Sequence, residues 1–130
     1  MKTAFETTPF ETGSVSGSAG GKATESIAWT PHPAFAGVSM KHLVTGADTN
    51  GTSSVHLVKV NPGCCIGDHI HNGKTEIHQV VAGVGRCLLE EREIAYAEGA
   101  VAVIPADRPH SVVAGHPGLF LLAVFSPALL

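Results

Sequence analysis

An all-β domain, built as an antiparallel sandwich or barrel, is the fold class this sequence predicts. Short apolar-rich runs of strand length recur at roughly ten-residue spacing, the pattern of such architectures. Clusters of Gly, Asn, Asp and Pro punctuate them. Only Leu88 to Ala97 reads as a candidate helix, and it is short. The 130 residues suit one domain, and an apolar content of 44% with a mean hydropathy of +0.21 is ample for a core.

Residues 1–26 read as a tail, flexible or lying across a partner subunit. Thr7-Thr8-Pro9 and the stretch from Thr12-Gly13-Ser14 to Gly20-Gly21 hold few apolar anchors and cannot offset their own ordering entropy. Phe5, Phe10 and Val15 are the contact residues if the tail crosses to a partner. Residues 27–130 form the folded domain. Its first strands are Met40-Lys41-His42-Leu43-Val44 and Ser54-Val55-His56-Leu57-Val58-Lys59-Val60, separated by the turn cluster Gly46 to Gly51 and closed by Asn61-Pro62-Gly63. A hairpin around His71 and Glu76 follows, then a turn at Gly83-Val84-Gly85. Arg86 to Leu89, Ala100 to Ile104, His110 to Val113 and Leu119 to Phe125 complete the series. Pro105, Pro109, Pro117 and Pro127 fall between or after these runs, where a missing N–H does least harm.

Composition narrows the function classes. A net charge of −3 without a Lys/Arg cluster argues against nucleic acid. No apolar run reaches the roughly 18–20 residues of a membrane span, and Met1 to Glu6 lack the apolar region of a secretory signal. Three cysteines, two of them adjacent (Cys64, Cys65 and Cys87), make a poor disulfide framework and point to the cytoplasm. Cys64 and Cys65 read as small loop residues. The eight histidines are many for a chain with 15% charged residues, a composition that suits metal binding.

His69 and His71, one residue apart, point the same way if they lie on a strand. Asn72-Gly73 is a strong hairpin signal, and the returning strand from Glu76 to Val81 sets a carboxylate opposite the two imidazoles. His78, two residues beyond Glu76, faces the same side. It is a candidate acid or base because an unperturbed imidazole titrates near ~6.5; the competing reading is a barrel-lining histidine satisfied by a neighbour. His32, His42, His56 and His116 carry no motif and read as surface or structural residues.

These residues resemble the motifs of the cupin family, in its small single-domain form. Gly63, His69, His71, Glu76 and Gly83 stand in the spacing of the first cupin motif. Gly99, Pro105 and His110 stand in that of the second, with Asp107 in place of its Gly and Ala114 in place of its Asn. The resemblance spans roughly residues 38–125 and implies a jelly-roll barrel in which His69, His71, Glu76 and His110 bind one divalent metal. Three imidazoles and a carboxylate suit Fe, Mn, Ni, Zn or Cu better than Mg or Ca, and leave an open coordination position. Asp107, Arg108 and Pro109 read as a turn that aims His110 inward, with Arg108 solvated. Small cupins commonly pair as homodimers, and the apolar Leu119 to Phe125 is compatible with such pairing. The segment Trp29-Thr30-Pro31 and Phe35 to Leu43 is similar to the start of anti-sigma-factor-type cupins.

Two functions are consistent with this reading. One is a metalloenzyme acting on a small chelating or oxygen-rich molecule by dioxygenase-, lyase- or isomerase-type chemistry. The other is a sensor module that binds a metal or small ligand without turnover. The fold alone does not separate them.

Overall fold

The computed structural model describes residues 8–130, and its architecture follows from strands that alternate inward and outward side chains. In chain order it contains α1 (Pro9–Thr12), β1 (Ser14–Gly17), β2 (Gly20–Ala23), a 3-10 turn (Thr24–Ser26), β3 (Thr30–Pro31), β4 (Val38–Val44) and α2 (Gly46–Thr49). Then come β5 (Ser54–Val60), β6 (Cys65–His69), β7 (Thr75–Leu89), β8 (Arg92–Ala97), β9 (Val101–Ile104) and β10 (His110–Ser126). The main sheet runs β3-β4-β5-β10-β7-β8, with β6 on β10 and β9 on β7, all antiparallel.

The sheet closes because its two longest strands serve both halves. The first part of β10, from His110 to Ala114, pairs with β6 and with Gly85–Leu89 of β7. The second part, from Leu119, pairs with β5 and with Thr75–Gly83. Between these parts lies a break in register, where a bulge bends and twists the strand. The expected turn at Gly83-Val84-Gly85 is therefore the middle of β7, and Pro117 lies inside β10. Glycine and proline serve a bulge as readily as a turn, and at Gly85 a Cβ would collide with the Val113 carbonyl oxygen across the bend.

Two further expectations are corrected. Leu88 to Ala97 is a hairpin rather than a helix: Leu89 pairs with Arg92 across a two-residue turn, and Glu90 takes a left-handed φ of 55°. The apolar residues alternate there with the period of a strand, and pairing on β7 decides the outcome. Nor do β6 and β7 form a ladder with each other. The turn at Asn72-Gly73 exists, closed by the Lys74 N–H on the His71 carbonyl at 3.3 Å, but both strands pair with β10.

The core is double. Inside the barrel, Val58, Val60, Val80, Leu119, Leu121 and Phe125 are buried with Tyr96 and Ile104. On the outer face, Leu43, Leu57, Phe120 and Leu122 form a second cluster, covered by Val15, Ile27 and Trp29 from the N-terminal segment. Two lysines hold this cover: buried Lys41 donates to the Thr24 carbonyl at 3.0 Å, and Lys41 and Lys59 stand over the Trp29 ring. Of the segment expected to be flexible or to cross to a partner, Val15 and Thr24 meet the chain's own barrel, while Phe10 is exposed and Phe5 lies outside the described residues. Leu119 to Phe125, read as compatible with dimer pairing, is central in the sheet and mostly buried, and Val101 and Val103 of β9 are more open apolar residues. No helix among the described residues is long and apolar enough to cross a membrane.

Candidate metal centre

Three strands and one turn bring the motif residues together. His69 ends β6, His71 stands in the turn after it, Glu76 and His78 lie near the start of β7, and His110 opens β10 opposite His69. The ligand atoms of His69, His71 and His110 lie within 4.8 Å of one another. Glu76 Oε1 approaches His110 Nε2 at 3.2 Å and His71 Nε2 at 3.6 Å. His71 reaches the cluster from the turn and not from a strand, so strand alternation is not what aims it. Asp107 is: its Oδ1 accepts the Gly73 N–H at 2.9 Å, and its N–H donates to the His71 carbonyl at 3.2 Å. Asp107 has a φ of 65°, a left-handed conformation that Asp tolerates. The residue that departs from the motif's Gly thus ties the second motif to the first.

Backbone carbonyls set the tautomers. His69 Nδ1 donates to the Gly67 carbonyl at 2.6 Å and His110 Nδ1 to the Arg108 carbonyl at 3.0 Å, so both present an Nε2 lone pair to the centre. His69 Nε2 and His71 Nε2 stand 3.1 Å apart. Burial lowers the His69 imidazole and takes His71 down to about 4, so both are neutral at neutral pH. Burial alone would raise Glu76, but the imidazoles of His78, His110 and His71 outweigh it and hold the carboxyl well below its usual range. For His110 burial pulls down, yet the Glu76 carboxylate and the Arg108 carbonyl raise it overall.

The buried atoms fit a cation. Glu76 Oε1 and His110 Nε2 are both buried with no donor satisfying them among the described residues. A carboxylate oxygen and an imidazole lone pair facing at 3.2 Å repel unless a positive charge, proton or metal, joins them. The three histidines form the cluster that could hold a metal, and the Glu76 oxygen stands beside two of them, a nitrogen-rich set that suits a divalent transition-type metal.

Behind the centre lies a buried chain, of which sequence reasoning found His78 but not Tyr96. His78 is 2% exposed; its Nε2–H donates to Glu76 Oε2 at 2.8 Å, and its Nδ1 accepts from Tyr96 Oη at 2.8 Å. Tyr96 also meets the buried Cys87 thiol, and burial raises both the phenol and the thiol, so both keep their protons. With both ring nitrogens engaged, His78 has no free edge for an acid–base role toward a substrate. Ile94 and Tyr96 alternate along β8 with exposed neighbours, the one sequence signal that could have placed this tyrosine inside. Arg108 is exposed as expected and bonds Glu90 Oε1 at 2.6 Å. Cys64, Cys65 and Cys87 are free thiols.

A cavity of about 320 Å³ adjoins the centre. His71, Glu76 and His78 form its polar end, while Met40, Val58, Ile66, Leu121 and Phe125 give it mostly apolar walls. His42 also lines it. It was read with His32 and His56 as surface or structural; His56 is fully buried and structural, but His42 faces this space, as does His32 at its rim, where its Nδ1 accepts the Ala34 and Phe35 N–H groups.

Comparison with known proteins agrees with this fold. No curated protein sequence matches the chain. The fold resembles KdgF from Halomonas sp., at 24% identity and a TM-score of 0.67 over 77% of this chain and 86% of that one. A predicted oxalate decarboxylase from Thermotoga maritima is 23% identical, with a TM-score of 0.70 over 80% and 96%. The polyketide cyclase RemF from Streptomyces resistomycificus is 20% identical, with a TM-score of 0.68 over 82% and 77%. At these identities the likeness is one of fold. The description of the cupin domain matches residues 56–124, more than half of the sequence, and carries all four converging side chains: the chain belongs to the cupin family.

Proposed function

We propose that this protein is a metal-dependent cupin enzyme that holds one divalent cation between His69, His71, Glu76 and His110 and acts on a small chelating molecule in the adjoining cavity. The observation that carries this reading is the facing pair of buried acceptors, Glu76 Oε1 and His110 Nε2, at the polar end of that cavity. A cation bound there would supply Lewis-acid polarisation of a substrate oxygen. The donor set suits Fe, Mn, Ni, Zn or Cu.

The protein's own residues do the rest. Gly67 and Arg108 carbonyls keep two imidazoles in the ligating tautomer, Asp107 fixes the turn that bears His71, and His78 orients the Glu76 carboxylate. His78 is thus a positioning residue. The mostly apolar walls lower the dielectric around the polar end, which strengthens charge interactions there.

Elemental analysis of untagged protein tests the metal. About one metal per chain is expected, falling sharply in Glu76→Gln; under ~0.2 per chain after reconstitution would reject the site. Turnover of β-diketones, hydroxyketones or acylphenols by the metal-loaded protein tests the enzyme. Tight binding without turnover of any of them would replace it with a binding module.

A further inference from the structure

Ser54, His56 and His42 form a second polar line through the barrel, apart from the metal cluster. Ser54 is fully buried, and its Oγ accepts the Leu129 N–H at 2.8 Å. The same oxygen lies 2.8 Å from His56 Nε2, and His56 Nδ1 lies 2.8 Å from His42 Nδ1. Burial lowers both imidazoles, His56 to about 4, so each carries a single proton at neutral pH.

Only one placement of those protons satisfies every buried group. If the Ser54 hydroxyl donates to His56 Nε2, His56 carries its proton on Nδ1 and donates to His42 Nδ1. The proton of His42 is then on Nε2. In the reverse arrangement the Ser54 oxygen accepts two N–H groups, and its own hydroxyl proton has no acceptor among the described residues. A buried donor without a partner is penalised, so the first arrangement prevails. Among the described residues, Nε2 of His42 has no hydrogen-bond partner, and His42 lines the cavity.

Sheet register places this donor relative to the metal centre. His42, His56, Ala123 and His78 stand in one row across β4, β5, β10 and β7, all facing the cavity side. Three strand spacings separate the ends of that row, about 14 Å between backbones. Ala123, the small member, leaves room between the two polar ends. Phe125 walls that space, its ring 4.9 Å from His71 and 5.6 Å from His56.

We propose that His42 is a second ligand-binding group of this cavity, donating its Nε2–H to a neutral oxygen acceptor on an apolar, ring-bearing molecule whose chelating end meets the metal cluster. This rests on the metal reading above and narrows it. Sugars would leave hydroxyls unpaired against Val58, Leu121 and Phe125, and short dicarboxylates would carry a second charge into an apolar space with only a neutral donor to meet it. A ketone or ester oxygen opposite the chelating pair matches both ends.

Nitrogen-15 NMR of the side chains tests the proton placement on the unmodified protein, with and without zinc. The His42 ring is expected protonated at Nε2 and His56 at Nδ1; protonation of His42 at Nδ1 would overturn the proposal. Calorimetry of the zinc-loaded protein tests recognition with two probes of matched shape, 2,5-diacetylphenol and 2-acetyl-5-isopropylphenol. The affinity ratio between them should fall about 3- to 10-fold in His42→Leu and recover in His42→Gln, whose amide can accept from His56 and still donate. An unchanged ratio in a folded His42→Leu variant would also overturn it. Failure of the metal reading has a different signature: zinc would leave the affinity for both probes unchanged while the ratio still reported on His42.

Discussion

Each converging imidazole is held by something behind it, and the strength of the centre depends on those supports. The Glu76 carboxylate has the longest chain, through His78 to Tyr96 and the Cys87 thiol. Tyr96→Phe removes the donor to His78 Nδ1 and leaves that ring free to turn, so metal affinity should fall about 10- to 100-fold while the four side chains facing the metal stay in place. Competition with a chromophoric chelator measures this, and an affinity unchanged from the parent would exclude a supporting role. The facing residues were legible in the sequence because His69, His71, Glu76 and His110 carry motif spacing. Tyr96 was not, because it lies 18 residues from His78 and reaches it through pairing of β7 with β8. The His42–His56 pair was hidden for the same reason: the two histidines are 14 residues apart, and cross-strand register alone joins them.

At the scale of elements, the turn at Asn72-Gly73 is held by a residue more than thirty positions away. Asp107 combines a left-handed backbone with a carboxylate acceptor for Gly73 N–H. Asp107→Ala loses both fits and should cost about 1–2 kcal/mol in urea unfolding, whereas Asp107→Asn keeps both and should stay within about 0.5 kcal/mol. Equal midpoints for the two variants would show that the clamp contributes nothing. Strand positions could be read from alternation along β9 and the start of β10, whereas the second part of β10 is an apolar run buried on both faces. The lengths of β7 and β10 could not. Their Gly and Pro residues mark bends within a strand, and only the partner strand distinguishes such a bend from a turn.

Across the whole molecule, neutral buried histidines make stability depend on pH. Folded His56 and His71 stay neutral down to about 4, whereas in the unfolded chain they protonate near ~6.5. Between those values the unfolded state binds more protons, so stability falls as pH falls. Glu76, held below its usual range, extends the loss to more acid conditions. His110, which is raised, acts in the opposite sense, its contribution being lost as pH rises, but it is outnumbered. Urea midpoints of the metal-free protein should therefore drop from pH 7 to pH 4, most steeply below about pH 6.5; a flat profile would contradict the burial of these rings.

The central position of β10 has a consequence for how this protein comes into being. That strand supplies His110, one wall of the cavity and the partner for β5, β6 and β7. The cover of Val15, Ile27 and Trp29 precedes β10 in the chain but has no surface to seal until Phe120 and Leu122 are in place. The cover and β10 are thus assembled together, through contacts of long sequence separation that form slowly. His69, His71 and Glu76 precede β10 in the chain and stand without His110 until that strand is in place, so the four-residue cluster and the barrel are completed together.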